Sequence, residues 1–227
     1  MVCVPFLDWR NKMAVNPYDA SGFVMLSDVC PDILQEIRYF STYNFIGGRI
    51  DGYKEPVALL TREAAAALVP VCRRLKEQGW LLKVFDAYRP QAAVDHFVRW
   101  VSDPEDTRMK PFFYPDVDKS RLFELDFIAK RSGHSRGSTL DVTLFDMNKG
   151  HDADMGSPFD WFGERSHPGC RDGVSVDQYD LRMLLQSVMT DAGFRPLASE
   201  WWHFTLRQEP YPDTYFAFPV SSAYLRR

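Results

Sequence analysis

The segment Thr139–Leu144 constrains the fold most, because Leu140, Val142 and Leu144 alternate in it with Thr139, Asp141 and Thr143. Side chains alternate between the two faces of a strand, so this run is a β-strand with an apolar face on a core. Its other face carries Asp141 into the open. Such a strand needs an apolar layer beneath it, and two helices come with both ends written. Over Thr61 to Gly79, Thr61 is the N-cap, Glu63 lies in the first turn, Arg and Lys come late and Gly79 is the stop. Pro70 is placed to kink that helix. At the second, Ser175 and Gln178 form a capping box, and Leu181, Leu184, Leu185, Val188 and Met189 make one apolar stripe ended by Gly193.

Two further apolar runs read as strands, Leu81–Asp86 (LLKVFD) and the aromatic-rich Glu200–Leu206 (EWWHFTL). Ala87 to Pro90 leads from the first into a helix that reaches about Val101, with Pro90 suited to its first turn. Helices and strands mix without a regular βαβ rhythm, and no repeat or linker interrupts them. The expectation is one α+β domain over residues 25–227, with a mainly antiparallel central sheet flanked by helices, preceded by an N-terminal extension of residues 1–24. Met13 is an alternative start within that extension. The stretches Ser102–Lys130 and Asp146–Val174 are rich in Pro, Gly and Asp, and loops of such length are more often binding walls than spacers.

Several classes of function are excluded. At 227 residues, with 45% hydrophobic and 26% charged side chains, the composition is that of a globular enzyme-sized chain. The formal net charge of -4 and the scattered Lys and Arg give no footprint for a phosphate backbone, so no nucleic-acid partner is expected. The longest apolar run, Ala64 to Cys72, is far below the roughly 18 residues of a membrane span. The first twelve residues place their charges after the apolar stretch, unlike a signal peptide, and a cytoplasmic location is expected. Cys3, Cys30, Cys72 and Cys170 form no CxxC pair and are expected to be reduced thiols, with Cys72 a small hydrophobe beside Val71 and Leu75.

Five histidines occur, at positions 96, 134, 151, 167 and 203. His134 lies in SGHSRGSTLD, where Gly133 and Gly137 permit tight turns and Asp141 follows seven residues later on the strand. A loop that folds back on its own strand brings imidazole and carboxylate together. In SEWWHF, Glu200 and His203 are three apart, which sends them to opposite faces of a regular strand. Both reach one site only if Glu200 sits in a bend before the strand. Two His and one carboxylate are the ligand set of a catalytic zinc with an open fourth position, and a nearby Glu can move the protons of peptide hydrolysis. Arg89, after the LLKVFD strand, is the candidate cation for an oxyanion. Spacing alone leaves the bland reading open, with Asp141 a turn carboxylate and Arg89 an ion-pair partner. His96, His151 and His167 have no ligand-like companion and are read as structural or solvated.

SGHSRGSTLD and EWWH resemble the paired motifs SxHxxGxAxD and ExxH of the VanX-type D-alanyl-D-alanine dipeptidases, in the wider zinc D,D-peptidase family. Ile37 to Tyr53, VFDAYRP (Val84 to Pro90), Phe112 to Gly137 and DMGSPFDWF (Asp154 to Phe162) are similar to that family in the same order, so about residues 25 to 210 are covered. The resemblance implies one zinc per chain in a cleft, held by His134, Asp141 and His203, with Glu200 as general base and Arg89 stabilising the transition state. It implies a small dipeptide substrate whose amino terminus meets Ser132 and Asp160, with Tyr39 also at the substrate site. One position departs from the pattern, because Thr139 stands where the family has a small Ala. The rival readings are a D,D-carboxypeptidase of peptidoglycan stems and a non-catalytic zinc-binding recognition domain.

Overall fold

In the computed structural model, which describes residues 15–125 and 127–225, the chain begins with β1 (Phe23–Met25), the one-turn helix α1 (Leu26–Val29) and β2 (Leu34–Gln35). β3 (Leu59–Thr61) runs directly into α2 (Arg62–Glu77), followed by β4 (Trp80–Asp86), α3 (Gln91–Val101) and the single turn α4 (Lys110–Phe113). β5 (Thr139–Asp146), β6 (His151–Asp152), α5 (Val176–Asp191), β7 (Phe194–Leu197) and β8 (Glu200–Leu206) complete the order.

The expected α+β architecture is present, but the main sheet is mixed. Its order is β2-β4-β5-β8-β7, with β6 paired to the end of β5, and β2 joins β4 in parallel while the other pairs are antiparallel. This corrects the mainly antiparallel sheet. Residues 36–79, with α2 among them, carry the chain from β2 back to β4, and a crossover of that length is what a parallel pair needs. Two residues of strand are too few to show any alternation in sequence. A second sheet pairs β1 with β3.

Both helical termini obey the residues written there. The Thr61 hydroxyl accepts from the Ala64 N–H at 3.4 Å, and Gly79 takes the left-handed conformation just beyond α2 at φ +83°. Pro70 is inside α2 without ending it, and Ala64, Leu68, Val71 and Leu75 bury the helix face. Pro90 caps α3 from outside and does not enter its first turn. The capping box at Ser175 is closed in both directions. The apolar stripe of α5 is narrower than expected: Leu185, Val188 and Met189 are buried, while Leu181 and Leu184 are only partly so. Arg182 is buried in their company because its guanidinium donates to the carbonyls of Met155 at 2.6 Å, His167 at 2.9 Å and Arg165 at 2.9 Å. One side chain therefore fastens the long 146–174 loop to α5, satisfying its own buried charge with backbone acceptors.

β5 is the central strand. Leu140, Val142 and Leu144 are fully buried with Leu82 and Val84 of β4, against which α2 packs. The opposite face is covered as well: Thr139, Asp141 and Thr143 are each no more than 2% exposed, which corrects the open face expected for Asp141. Phe159 lies 4.9 Å from Phe85 between ring centroids, and both line one cavity with Thr143, so the loop after β6 roofs this side.

Residues 1–14 of the expected extension, Cys3 and Met13 among them, lie outside the described residues. Phe23 is 2% exposed, with its ring 5.2, 4.8 and 4.9 Å from those of Tyr88, Phe216 and Phe218. Among the described residues no helix is long and apolar enough to cross a membrane.

Candidate metal centre and substrate pocket

The loop before β5 folds back as a one-turn 3₁₀ helix, Gly133–Arg136, whose N-cap Ser132 accepts from the His134 N–H at 3.3 Å. Gly137 ends the turn at φ +79°, and a Cβ there would stand 2.2 Å from the Phe23 ring. Arg136 clamps the turn from outside with two bonds to Glu209, at 2.7 and 2.8 Å. His134 is thereby held 2% exposed over the first residues of β5.

Strand pairing supplies the other donors. Asp141 of β5 lies opposite His203 of β8 in register, and paired residues share a face. The result is a small triangle of atoms: His134 Nε2 to Asp141 Oδ1 is 3.3 Å, His203 Nδ1 to Asp141 Oδ1 is 3.1 Å, and His134 Nε2 to His203 Nδ1 is 3.3 Å. Donors about 2.0–2.1 Å from a tetrahedral ion stand roughly 3.3 Å from one another, so the triangle has the size that zinc requires. Asp141 Oδ1 is buried without a hydrogen-bond partner, the condition of an acceptor aimed at a cation. His134 Nδ1 is 2.7 Å from the Ala87 carbonyl, which can only accept, so the proton is on Nδ1 and Nε2 is left as a lone-pair donor. These three are the one group of at least three His, Cys, Asp or Glu side chains, among the described residues, arranged to hold a metal ion.

Glu200 does share the site. The expected bend before the strand is not found, because Glu200 is the first residue of β8; instead the pairing of β7 with β8 jumps from Pro196–Phe204 to Leu197–Glu200, and this irregularity between Glu200 and Phe204 breaks the strict alternation that the odd spacing would impose. Glu200 Oε2 lies 3.5 Å from His203 Nδ1. Burial raises its pKa above the ordinary carboxylate value, with His203 opposing. Asp141 lies at the other extreme: burial works against its charge, but His134 and His203 hold its pKa low.

Arg89 enters from the end of β4. Its Nε donates to Asp86 Oδ2 at 2.9 Å, Nη2 stands 3.6 Å from Asp141 Oδ2, and the guanidinium faces the Tyr39 ring at 4.9 Å. Asp86, fully buried, also accepts from the Tyr53 hydroxyl at 2.6 Å and lies 3.5 Å from His134 Nδ1. Neither Asp86 nor Tyr53 was among the site residues expected from sequence; both lie inside stretches that carry the resemblance, and only the fold shows that they brace Arg89.

Tyr39 and Asp160 meet on the far wall, where the Tyr39 hydroxyl donates to Asp160 Oδ2 at 3.0 Å. Asp160 is 6% exposed, adopts φ +60° and has no salt bridge among the described residues. Burial first, then Asp141, push its pKa well above the ordinary range. Ser132 lines the same pocket, although its hydroxyl already caps the turn. Thr139 does not intrude on the ligands, because its hydroxyl is engaged with that of Thr205 across the strand pair at 2.9 Å.

All eight of these expected residues line one pocket of about 220 Å³, closed on one side by Phe127 and Ile128 from the long 102–130 loop. His96, His151 and His167 stay apart from it: His96 Nδ1 accepts from the Asp51 N–H at 3.2 Å, His151 is exposed, and the His167 carbonyl serves Arg182.

A family description of D-ala-D-ala dipeptidase, peptidase family M15, matches residues 19–221. The chain belongs to this metallopeptidase family. It is 37% identical over 199 residues to a D-alanyl-D-alanine dipeptidase of Enterococcus faecium, covering 88% of this chain and 98% of that protein. A D-alanyl-D-alanine dipeptidase of Streptomyces coelicolor is 39% identical over 199 residues, with the same two coverages, 88% and 98%. One from Escherichia coli is 34% identical over 190 residues, covering 84% of this chain and 87% of that protein. Family membership makes the chain a metallopeptidase, and His134, Asp141 and His203 are its candidate metal site among the described residues.

Proposed function

We propose that this enzyme hydrolyses D-alanyl-D-alanine to two molecules of D-alanine, using one zinc ion held by His134, Asp141 and His203. The observation that carries the reading is the donor triangle with edges of 3.1 to 3.3 Å in one pocket with Glu200 and the buried Asp160, which has no salt bridge among the described residues. The working unit is residues 25–227 together with the strand Phe23–Met25 that leads into it.

Zinc in that position supplies Lewis acidity, which lowers the pKa of water to about 7 and polarises a carbonyl. The chain's own residues do the rest. Glu200 takes the proton of the attacking water and hands it to the departing amine, and the burial that raises its pKa makes it a better base for that exchange. Arg89, held from behind by Asp86, presents positive charge to the oxygen on which negative charge develops. Asp160, with Tyr39, receives the substrate ammonium, which supplies the counter-charge that this buried carboxylate lacks in the free enzyme. Ser132 stands at the same end.

Pocket size supports a small substrate, since 220 Å³ is below the roughly 300–1,000 Å³ usual for drug-sized ligands. A blocked or longer amino end leaves Asp160 desolvated and unpaired, a larger cost than one lost contact. This distinguishes a dipeptidase from an enzyme that trims stem peptides. The test is release of D-alanine from the dipeptide by purified protein, against the N-acetylated dipeptide and a stem pentapeptide. Protein with full zinc occupancy that leaves the dipeptide intact, or that prefers the blocked substrates, overturns the reading.

A further inference from the structure

A free dipeptide is a zwitterion, and Asp160 with Tyr39 answers only its positive end. Arg89 serves the oxygen of the scissile carbonyl, which leaves the terminal carboxylate without a partner. Two residues span at most about 7 Å, so that second charge must be met in the same pocket as the first. The pocket lining holds two Lys or Arg side chains, Arg89 and Arg131. Arg89 is committed, with Nε on Asp86 at 2.9 Å and Nη2 3.6 Å from Asp141.

Arg131 has no hydrogen bond or ion pair to another described residue, and its guanidinium lies over the Tyr215 ring, 5.0 Å from the centroid. A ring takes one face of a guanidinium and leaves the N–H donors in its plane, the fork that fits a carboxylate. Arg136 stands over the same ring at 5.8 Å, but its charge is already met by Glu209 at 2.7 and 2.8 Å. Arg131 is exposed, which puts it at the mouth of the pocket. Its post is fixed, because the Phe216 N–H donates to the Ser135 carbonyl at 2.8 Å and so ties Tyr215 to the turn that bears His134. The Lys130 carbonyl accepts from Gln91 Nε2 at 3.4 Å, and Ser132 is the N-cap, so the backbone is held on both sides of Arg131.

Ser132 is extended, at φ −116° and ψ 140°, and neighbouring side chains of an extended chain leave on opposite sides. The guanidinium is thereby directed away from the end where Ser132 and Asp160 receive the ammonium. Arg131 and Asp160 line one pocket of about 220 Å³ without forming an ion pair. Two opposite charges held apart in so small a space suit a ligand that carries both.

We propose that Arg131 binds the terminal carboxylate of the dipeptide and sets the requirement for a free carboxyl end. The proposal rests on the dipeptidase reading of the same pocket. A stem peptide that ends in D-alanyl-D-alanine keeps this carboxylate, so Arg131 reads the end of the substrate that Asp160 does not. The contact is made in substrate and transition state alike, and it acts on KM and not on kcat.

Zinc-loaded full-length protein, as the parent, Arg131→Gln and Arg131→Lys, is assayed on D-alanyl-D-alanine and on D-alanyl-D-alaninamide, which lacks the carboxyl charge. The parent is expected to favour the dipeptide by about tenfold in kcat/KM, the size of a charge-assisted hydrogen bond at a partly solvated rim. Arg131→Gln should remove that preference by raising KM on the dipeptide about tenfold with kcat held within about twofold, and Arg131→Lys should keep part of it. A parent indifferent to the amide, equal losses on both substrates, or an unchanged KM in Arg131→Gln overturns the proposal. Should Arg131→Gln fail to fold, the parent's own preference and Arg131→Lys decide the matter. A zinc-loaded parent that cleaves neither compound refutes the dipeptidase reading separately, and calorimetry then judges Arg131. Weaker binding of the dipeptide alone in Arg131→Gln supports it, and equal binding by parent and variant, or none, overturns it.

Discussion

Replacing Asp86 with Asn keeps the side chain's shape and removes its charge, which tests what holds Arg89 in place. Asp86 accepts from Tyr53 at 2.6 Å through Oδ1 and from Arg89 at 2.9 Å through Oδ2. An amide has one acceptor oxygen and one donor nitrogen, so it keeps the bond from Arg89 only by turning its NH₂ group to Tyr53, whose hydroxyl must then accept instead of donate, and the counter-charge to the guanidinium is lost either way. The Arg89 and Asp86 side chains are only 12% and 1% exposed, so water cannot make good the loss. Breaking a buried ion pair from one side costs about 3–5 kcal/mol, and Asp141, at 3.6 Å from Arg89, recovers part of that. The expected destabilisation is about 2–4 kcal/mol by urea titration, and for a chain of this size a melting point lowered by roughly 5–15 °C. A guanidinium displaced by about 1 Å costs on the order of 10²-fold in kcat/KM. In an Arg89→Gln background the same substitution should cost much less, because the partner is gone. A neutral, protonated Asp86, toward which burial pushes it, is mimicked by Asn. A variant within about 0.5 kcal/mol of the parent and with full activity would therefore refute the claim that a charged Asp86 fixes Arg89.

Glu200→Ala should lower kcat by about 10²- to 10⁴-fold while metal content, read by mass spectrometry of the purified protein, stays at one per chain; loss of the metal would make Glu200 a ligand instead of a base. Chelation should abolish hydrolysis and zinc should restore it, whereas His134→Ala should fail to retain metal at all; activity that survives exhaustive chelation sinks the metal site. Asp160→Asn should cost roughly 10²-fold in kcat/KM on the free dipeptide and raise the slow rate on its N-acetyl form, because the charge that a blocked end leaves unpaired is gone, so equal losses on both substrates would show that Asp160 does not read the ammonium. Gly137→Ala forces a Cβ to within 2.2 Å of the Phe23 ring at φ +79°, and a loss of about 2 kcal/mol or more is expected in a denaturant melt; an unchanged midpoint would mean the turn that carries His134 is not constrained there.

The helices were legible because their ends are chemical signals confined to a few residues. Thr61, Gly79, Ser175 and Gln178 each do locally what their types predict. Strands β5 and β8 were legible from alternation and aromatic content, within two residues at either end. β2 was not, since two residues carry no period and its parallel pairing is decided by β4, far along the chain. The burial of both faces of β5 was missed for a related reason. Thr139, Asp141 and Thr143 look like a solvent face, and only the loop around Phe159, tied down by Arg182, makes them an interior one.

At the site the division is sharper. His134, Asp141 and His203 were named from residue type and resemblance, and the structure adds the 3.1 to 3.3 Å triangle, which spacing cannot give because it depends on the register between β5 and β8. The supporting groups were out of reach. The Ala87 carbonyl that sets the tautomer of His134 is backbone and leaves no mark in sequence at all. Asp86 stands in plain view in VFDAYRP, but its duty comes from Tyr53, Arg89 and His134, which reach it from three separate segments. A ligand set is a matter of residue identity; the groups that orient it are a matter of topology. Substitutions at Asp86 therefore probe the fold's contribution to catalysis more directly than substitutions at the ligands, whose removal takes the metal with it.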